Sequence, residues 1–178
     1  ATPSGLTAHI QRLQDIWTVP QLELHWAEAH LQAQGQWRPA RQQMQAQAQW
    51  QLPGMTGRIE GQLSPQQGQG QWQLDAQDPA RLRAWLGHWP LTDAAQASGQ
   101  WQGGWAGKGM QLQAQMASAR LQLHTAGTLT QGAAAGAWRG EIAQLQLDGK
   151  PVPGTSARLM LQSPLAWQWL APAKQLQW

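Results

Sequence analysis

The sequence predicts an all-β protein: one long, antiparallel-rich sheet with an apolar face, a glutamine face and a single short helix near residues 79–86. Three observations predict it. Apolar side chains recur at every second position through most of the chain, the period of a strand with one buried face. Turn residues interrupt these runs at intervals of roughly 8–12 residues, as in an all-β sheet, sandwich or barrel. Only residues 79–86 carry apolar residues at helical spacing.

The first clear run sets Leu22, Leu24 and Trp26 against Gln21, Glu23 and His25. The phase shifts at Ala27, which predicts a bulge or a tight turn. Ala29, Leu31, Ala33, Gly35 and Trp37 then continue on odd positions. Met44, Ala46, Ala48, Trp50 and Leu52 alternate with five glutamines, and Pro53-Gly54 turns the chain into Ile59, Gly61 and Leu63. Gly70, Trp72, Leu74 and Ala76 follow.

Asp78-Pro79 then reads as a helix N-cap followed by proline at the first helical position. Leu82, Trp85 and Leu86 share one side at i, i+3 and i+4, Gly87 ends the helix, and Pro90 blocks its continuation. Two turns are too few to be stable alone, so the Leu/Trp side must dock on the sheet.

Strand patterning resumes with Ala97, Gly99 and Trp101, then Met110, Leu112, Ala114 and Met116, then Leu121, Leu123, Thr125, Gly127 and Leu129. Trp138, Gly140 and Ile142 lead into Leu145 and Leu147, and Asp148-Gly149 reads as a hairpin turn. Ala157, Leu159 and Leu161, then Trp167 and Trp169, then Leu176 and Trp178 complete the series. Glycines within the apolar phase predict either bends that curl the sheet or close backbone approach.

Composition narrows the function. The net charge is +3 and only 12% of residues are charged, with no Lys/Arg cluster in the sequence, so a nucleic-acid partner is not expected. The high pI follows from a shortage of acids. Roughly a fifth of the residues are glutamine, but they alternate with apolar residues rather than forming a disordered tract. No cysteine exists to build a disulfide or a thiolate metal site. The start lacks an initiating Met and a leader pattern. Residues 1–178 are therefore expected to form a single β-rich domain, an excised or processed segment of a longer protein.

Catalytic constellations are nearly absent. His25 and His30 lack the i, i+4 spacing of a helical metal pair, and no Gly-x-Ser-x-Gly, P-loop or dinucleotide fingerprint occurs. No enzyme, metal or cofactor is expected. The informative feature is the apolar phase. Its tryptophans pack a core, line an apolar groove or stack on sugars. A core would mix in valine, which occurs only twice, and sugar stacking would put Trp beside the polar residues. The groove reading assigns its lining to Leu31, Trp37, Met44, Trp50, Leu63, Trp72, Leu74, Trp101, Leu112, Met116, Leu121, Leu123, Leu129, Ile142, Leu145 and Leu147.

Three stretches carry a family resemblance. They are Leu31-Gln-Ala-Gln-Gly-Gln-Trp37; Asp78-Pro-Ala-Arg-Leu-Arg-Ala-Trp-Leu86 with Leu91 and Gly99-Gln-Trp101; and Leu129, Ala137-Trp-Arg-Gly-Glu-Ile142, Leu145-x-Leu147 and Leu161-x-x-Pro164-Leu165. This wording resembles the C-terminal periplasmic region of the TamB family, within the wider AsmA-like group of envelope proteins. The N subunit of type II secretion shares some of it. The resemblance implies a taco-like rolled sheet with an apolar interior, in the periplasm of a Gram-negative bacterium, on a parent protein anchored in the inner membrane. It implies phospholipid or acyl chains as cargo, and a TamA-like outer-membrane barrel and nascent β-barrel proteins as partners. Alternatives are a type II secretion N-like structural subunit and a carbohydrate-binding β module.

Overall fold

The computed structural model describes residues 5–86, 92–132, 137–150, 154–170 and 175–177. The strands run in chain order: β1 (Gly5–Leu13), β2 (Ile16–Trp26), β3 (Ala29–Arg38), β4 (Gln43–Leu52), β5 (Met55–Leu63) and β6 (Gly68–Ala76). Helix α1 (Pro79–Leu86) intervenes, followed by β7 (Ala95–Gln102), β8 (Met110–Ser118), β9 (Leu121–Gln131), β10 (Ala137–Gly149), β11 (Ala157–Met160), β12 (Leu165–Leu170) and β13 (Gln175–Gln177). All thirteen strands belong to one sheet. Each of β1 to β10 pairs antiparallel with its chain neighbours. The long β10 then pairs with β12 through its first half and with β11 through its last four residues. The sheet does not close into a barrel, and no second layer covers it among the described residues.

Tight connections explain the meander. Leu52 pairs with Met55 around Pro53-Gly54, where Gly54 takes φ 86°, as a Pro-Gly hairpin requires at its second position. Trp26 pairs with Ala29, so the phase shift at Ala27 is a tight turn, with Ala27 itself at φ 52°. The bulge lies elsewhere. Both neighbours of β2 lose register at Pro20, β1 across Val19–Pro20 and β3 across Pro20–Gln21, where proline supplies no ladder donor. A second bulge at Ala143 puts Ile142 and Leu145 on one face despite their odd spacing.

Asp148-Gly149 is a correction. It is not a turn: β10 runs through it, pairing Asp148 with Gln122 and Arg158, and Gly149 with Leu121 and Ala157. The ladders on both sides hold extended what would otherwise turn. Strand β1, whose Leu6, Ala8 and Ile10 alternate, is not among the strands read from the sequence and is set by its pairing with β2. Gly87, Pro90 and Trp178, read as helix stops and a terminal strand residue, lie outside the described residues.

The two ends of the strands form two rims. One holds α1 and the β2–β3, β4–β5 and β8–β9 turns. The helix starts as expected, with Asp78 Oδ1 accepting hydrogen bonds from Ala80 N and Arg81 N at 3.1 and 3.0 Å. Asp78 N donates to the Gly54 carbonyl, which ties the helix to the β4–β5 turn. Leu82 is wholly buried, and Trp85 meets Trp26 edge to face at 5.3 Å. The buried apolar residues are otherwise small: Ala29, Ala76, Ala95 and Ala137. The accessible surface is 12376 Å². A compact monomer of this mass exposes about 8,600 Å². The difference is what an uncovered sheet produces.

Candidate functional site

Strand register assembles the apolar phase into continuous rows. One row crosses eleven strands: Leu6, Leu24, Leu31, Trp50, Gly57, Leu74, Ala97, Met116, Leu123, Leu147 and Leu159. Its ten strand spacings make it about 48 Å long. The next rows bring in Trp72 and Leu145, then Trp101, Leu112 and Ile142. A further row holds Trp37, Met44 and Leu63, with Leu129 beyond them, and Leu121 lies at the helix rim. All sixteen residues read as groove lining therefore share one face.

That face is open. Trp37 is 38% exposed, Met44 45% and Ile59 39%. A sheet that is apolar on one side ordinarily buries it against another element. Here the partial cover comes from within the sheet. Trp50 lies over Gly57, Trp72 over Gly99 and Trp167 over Gly140, each glycine being the residue opposite on the next strand. A Cβ at Gly99 would stand 2.5 Å from the Trp72 Nε1. These glycines thus provide close approach: each is a seat for an indole, which is the reason for their place in the apolar phase.

The opposite face is a field of amides. Gln34, Gln47, Glu60, Gln71, Gln100 and Gln113 are neighbours across six strands. Gln71 donates to Glu60 at 2.6 Å, and Gln100 to Gln113 at 2.8 Å. Open depressions of about 960 and 980 Å³ run along this face. Magnitudes decide between the faces. One amide hydrogen bond nets about 0.5–1.5 kcal/mol, while ordering a glutamine side chain costs up to about 2 kcal/mol. The amide face therefore gains little from a ligand. Covering a Leu or Met that is exposed gives about 1.5–3 kcal/mol without a directional requirement.

Charge is unevenly placed. The three ion pairs among the described residues, Arg81–Glu28, Arg120–Asp93 and Arg158–Asp148, are all at or near the helix rim. At the opposite rim, Arg12, Arg38 and Arg41 gather at the β1–β4 corner, and none pairs with a carboxylate. Sequence reading missed this corner because the arginines are separated along the chain and only strand pairing brings them to one rim. Arg12 sits 5.2 Å over the Trp17 ring.

His25 and His30 face one another across the β2–β3 turn and stack at 4.3 Å. No group of three metal-ligating side chains occurs among the described residues. No described helix is long and apolar enough to cross a membrane. No family model, curated protein or solved structure matches the chain.

Proposed function

We propose that this chain is a hydrophobic-surface segment of a TamB/AsmA-like envelope protein, and that its apolar face carries the acyl chains of phospholipid between membranes. The observation that supports the reading is the row of apolar residues continuous across eleven strands, with no second layer over it among the described residues. An acyl chain gains about 0.8 kcal/mol per buried CH₂. It can therefore ride such a face without specific polar contacts. On this reading the protein is not an enzyme, and it works in the periplasm of a Gram-negative cell with its parent protein held in the inner membrane. The test is uptake of a fluorescent fatty acid by delipidated protein. Leu112→Glu, beside Trp101, and Leu123→Glu, between Met116 and Leu147, should each abolish uptake. Equal uptake by the wild type and both variants would end the proposal.

A second reading rests on β1. Among the described residues this strand pairs on one side only, and Leu6 and Ile10 are 66% and 64% exposed. An open edge with alternating apolar residues is a template for strand addition. On this reading the segment receives strands of nascent outer-membrane β-barrel proteins and works with a TamA-like barrel. Photocrosslinks from β1 to an unfolded barrel protein support it, and crosslinks to lipid alone oppose it.

A further inference from the structure

We infer that the β1–β4 corner of the rim opposite α1 is a head-group site for an anionic phospholipid whose acyl chain lies along Trp17, Trp37 and Met44. The inference rests on the acyl-carrying reading of the apolar face and adds a place and a charge preference to it. Trp17 pairs with Trp37, and Trp37 with Met44, so the three form one strip across β2, β3 and β4. They are among the more exposed large apolar residues of the face, at 41%, 38% and 45%. Arg12 closes one end of the strip. Its Nε donates to the Gln14 carbonyl, and its guanidinium lies over Trp17. Arg38 and Arg41 stand two to three strands away, Arg38 on the amide face opposite Gln43 and Arg41 in the turn beyond Trp37. Among the described residues the Arg38 side chain donates only to the neutral Gln43, and the Arg41 side chain makes no hydrogen bond or ion pair.

Asp15, in the β1–β2 turn, is the acid of this corner, and it pairs with none of the three arginines. The helix rim is the contrast, for there each of Glu28, Asp93 and Asp148 holds an arginine. Arg12 and Arg41, neither paired with a carboxylate, beside a greasy strip about 10 Å wide, complement an anionic head on an apolar tail. A neutral head gains nothing from them.

The test compares two monomeric short-chain lipids, dihexanoyl phosphatidylglycerol (anionic) and dihexanoyl phosphatidylcholine (zwitterionic), by calorimetry at low ionic strength. Glycerol phosphate serves as the chainless competitor. The wild type should prefer the anionic lipid by about fivefold, with loss of the preference in high salt. Arg12→Gln/Arg41→Gln should bring the ratio to one. Arg41→Gln alone, which removes no internal contact, should lower it. Arg58→Gln/Lys150→Gln, an equal charge change elsewhere, should keep it. Equal affinity of the wild type for both lipids overturns the head-group site and leaves the acyl-carrying face standing. Binding of neither lipid overturns that face itself. Competition by glycerol phosphate as strong as by the anionic lipid overturns the site as one for an amphiphile.

Discussion

The indole of Trp101 lies across Gly70 on the neighbouring strand and reaches Gly61 on the strand beyond, and its Nε1 donates to the Gln62 carbonyl at 3.4 Å. A Cβ at Gly70 would coincide with the ring. One tryptophan thus roofs three strands of a sheet that has no other layer there. The same relation recurs for Trp50 with Gly57 and Trp72 with Gly99.

The seats make a stability prediction. Gly99→Ala puts a methyl against both the Trp72 Nε1 and the Gln113 carbonyl, at 2.5 and 2.7 Å. It should cost about 1–3 kcal/mol, the usual range for overpacking, seen as a lower urea midpoint. Trp72→Leu should relieve part of that cost in the double variant. A Gly99→Ala protein as stable as the wild type would show that the ring is not seated there.

Helix α1 should depend on one side chain and one cap. Leu82 is fully buried under a helix too short to persist alone. Leu82→Ala should cost about 2–5 kcal/mol, and Asp78→Ala about 0.5–2 kcal/mol. Equilibrium denaturation measures both. Arg81→Gln breaks only a well-exposed pair with Glu28 and should cost under about 1 kcal/mol.

Asp148 gives a pH dependence with a definite sign. Its hydrogen bond from Arg158, then that from Gln146, holds the carboxyl below its ordinary value of 3.8. A carboxyl depressed by folding contributes stability that is complete above the ordinary value and is lost as pH falls through the depressed one. The β10–β11 clip should therefore be indifferent to pH near neutrality and loosen only in strong acid. Carbon-13 titration of the Asp148 carboxyl should give a midpoint under 3.8. Arg158→Gln should raise it, and an unchanged midpoint would remove the clip.

Strand β1 should govern self-association. Its exposed Leu6 and Ile10 sit on a strand that, among the described residues, is paired on one side only. Ile10→Lys places a charge on that edge, the usual guard against edge pairing. Light scattering should show concentration-dependent association in the wild type and less in the variant.

The period-two alternation was enough to specify most strands from Leu22 onward, the shared face of the lining residues within each unbulged strand, and, with Asp78-Pro79 and the helical spacing after it, the short helix at Pro79–Leu86. Those features are local: pleating sends alternate side chains to opposite faces, and Asp-Pro supplies a cap and a preset first helical residue. Four matters needed the tertiary structure. Strand β1 exists because β2 offers it a ladder, and Asp148-Gly149 stays extended because β9 and β11 flank it. Whether Trp and Gly meet depends on register between strands, which no single strand encodes; Trp72 finds Gly99 across a helix and a connection of many residues. The basic corner, too, is made by pairing, since β1 and β3 carry Arg12 and Arg38 to one rim from distant points in the chain. Alternation decides which face a side chain takes, and only the hydrogen-bonded ladder decides its neighbours on that face.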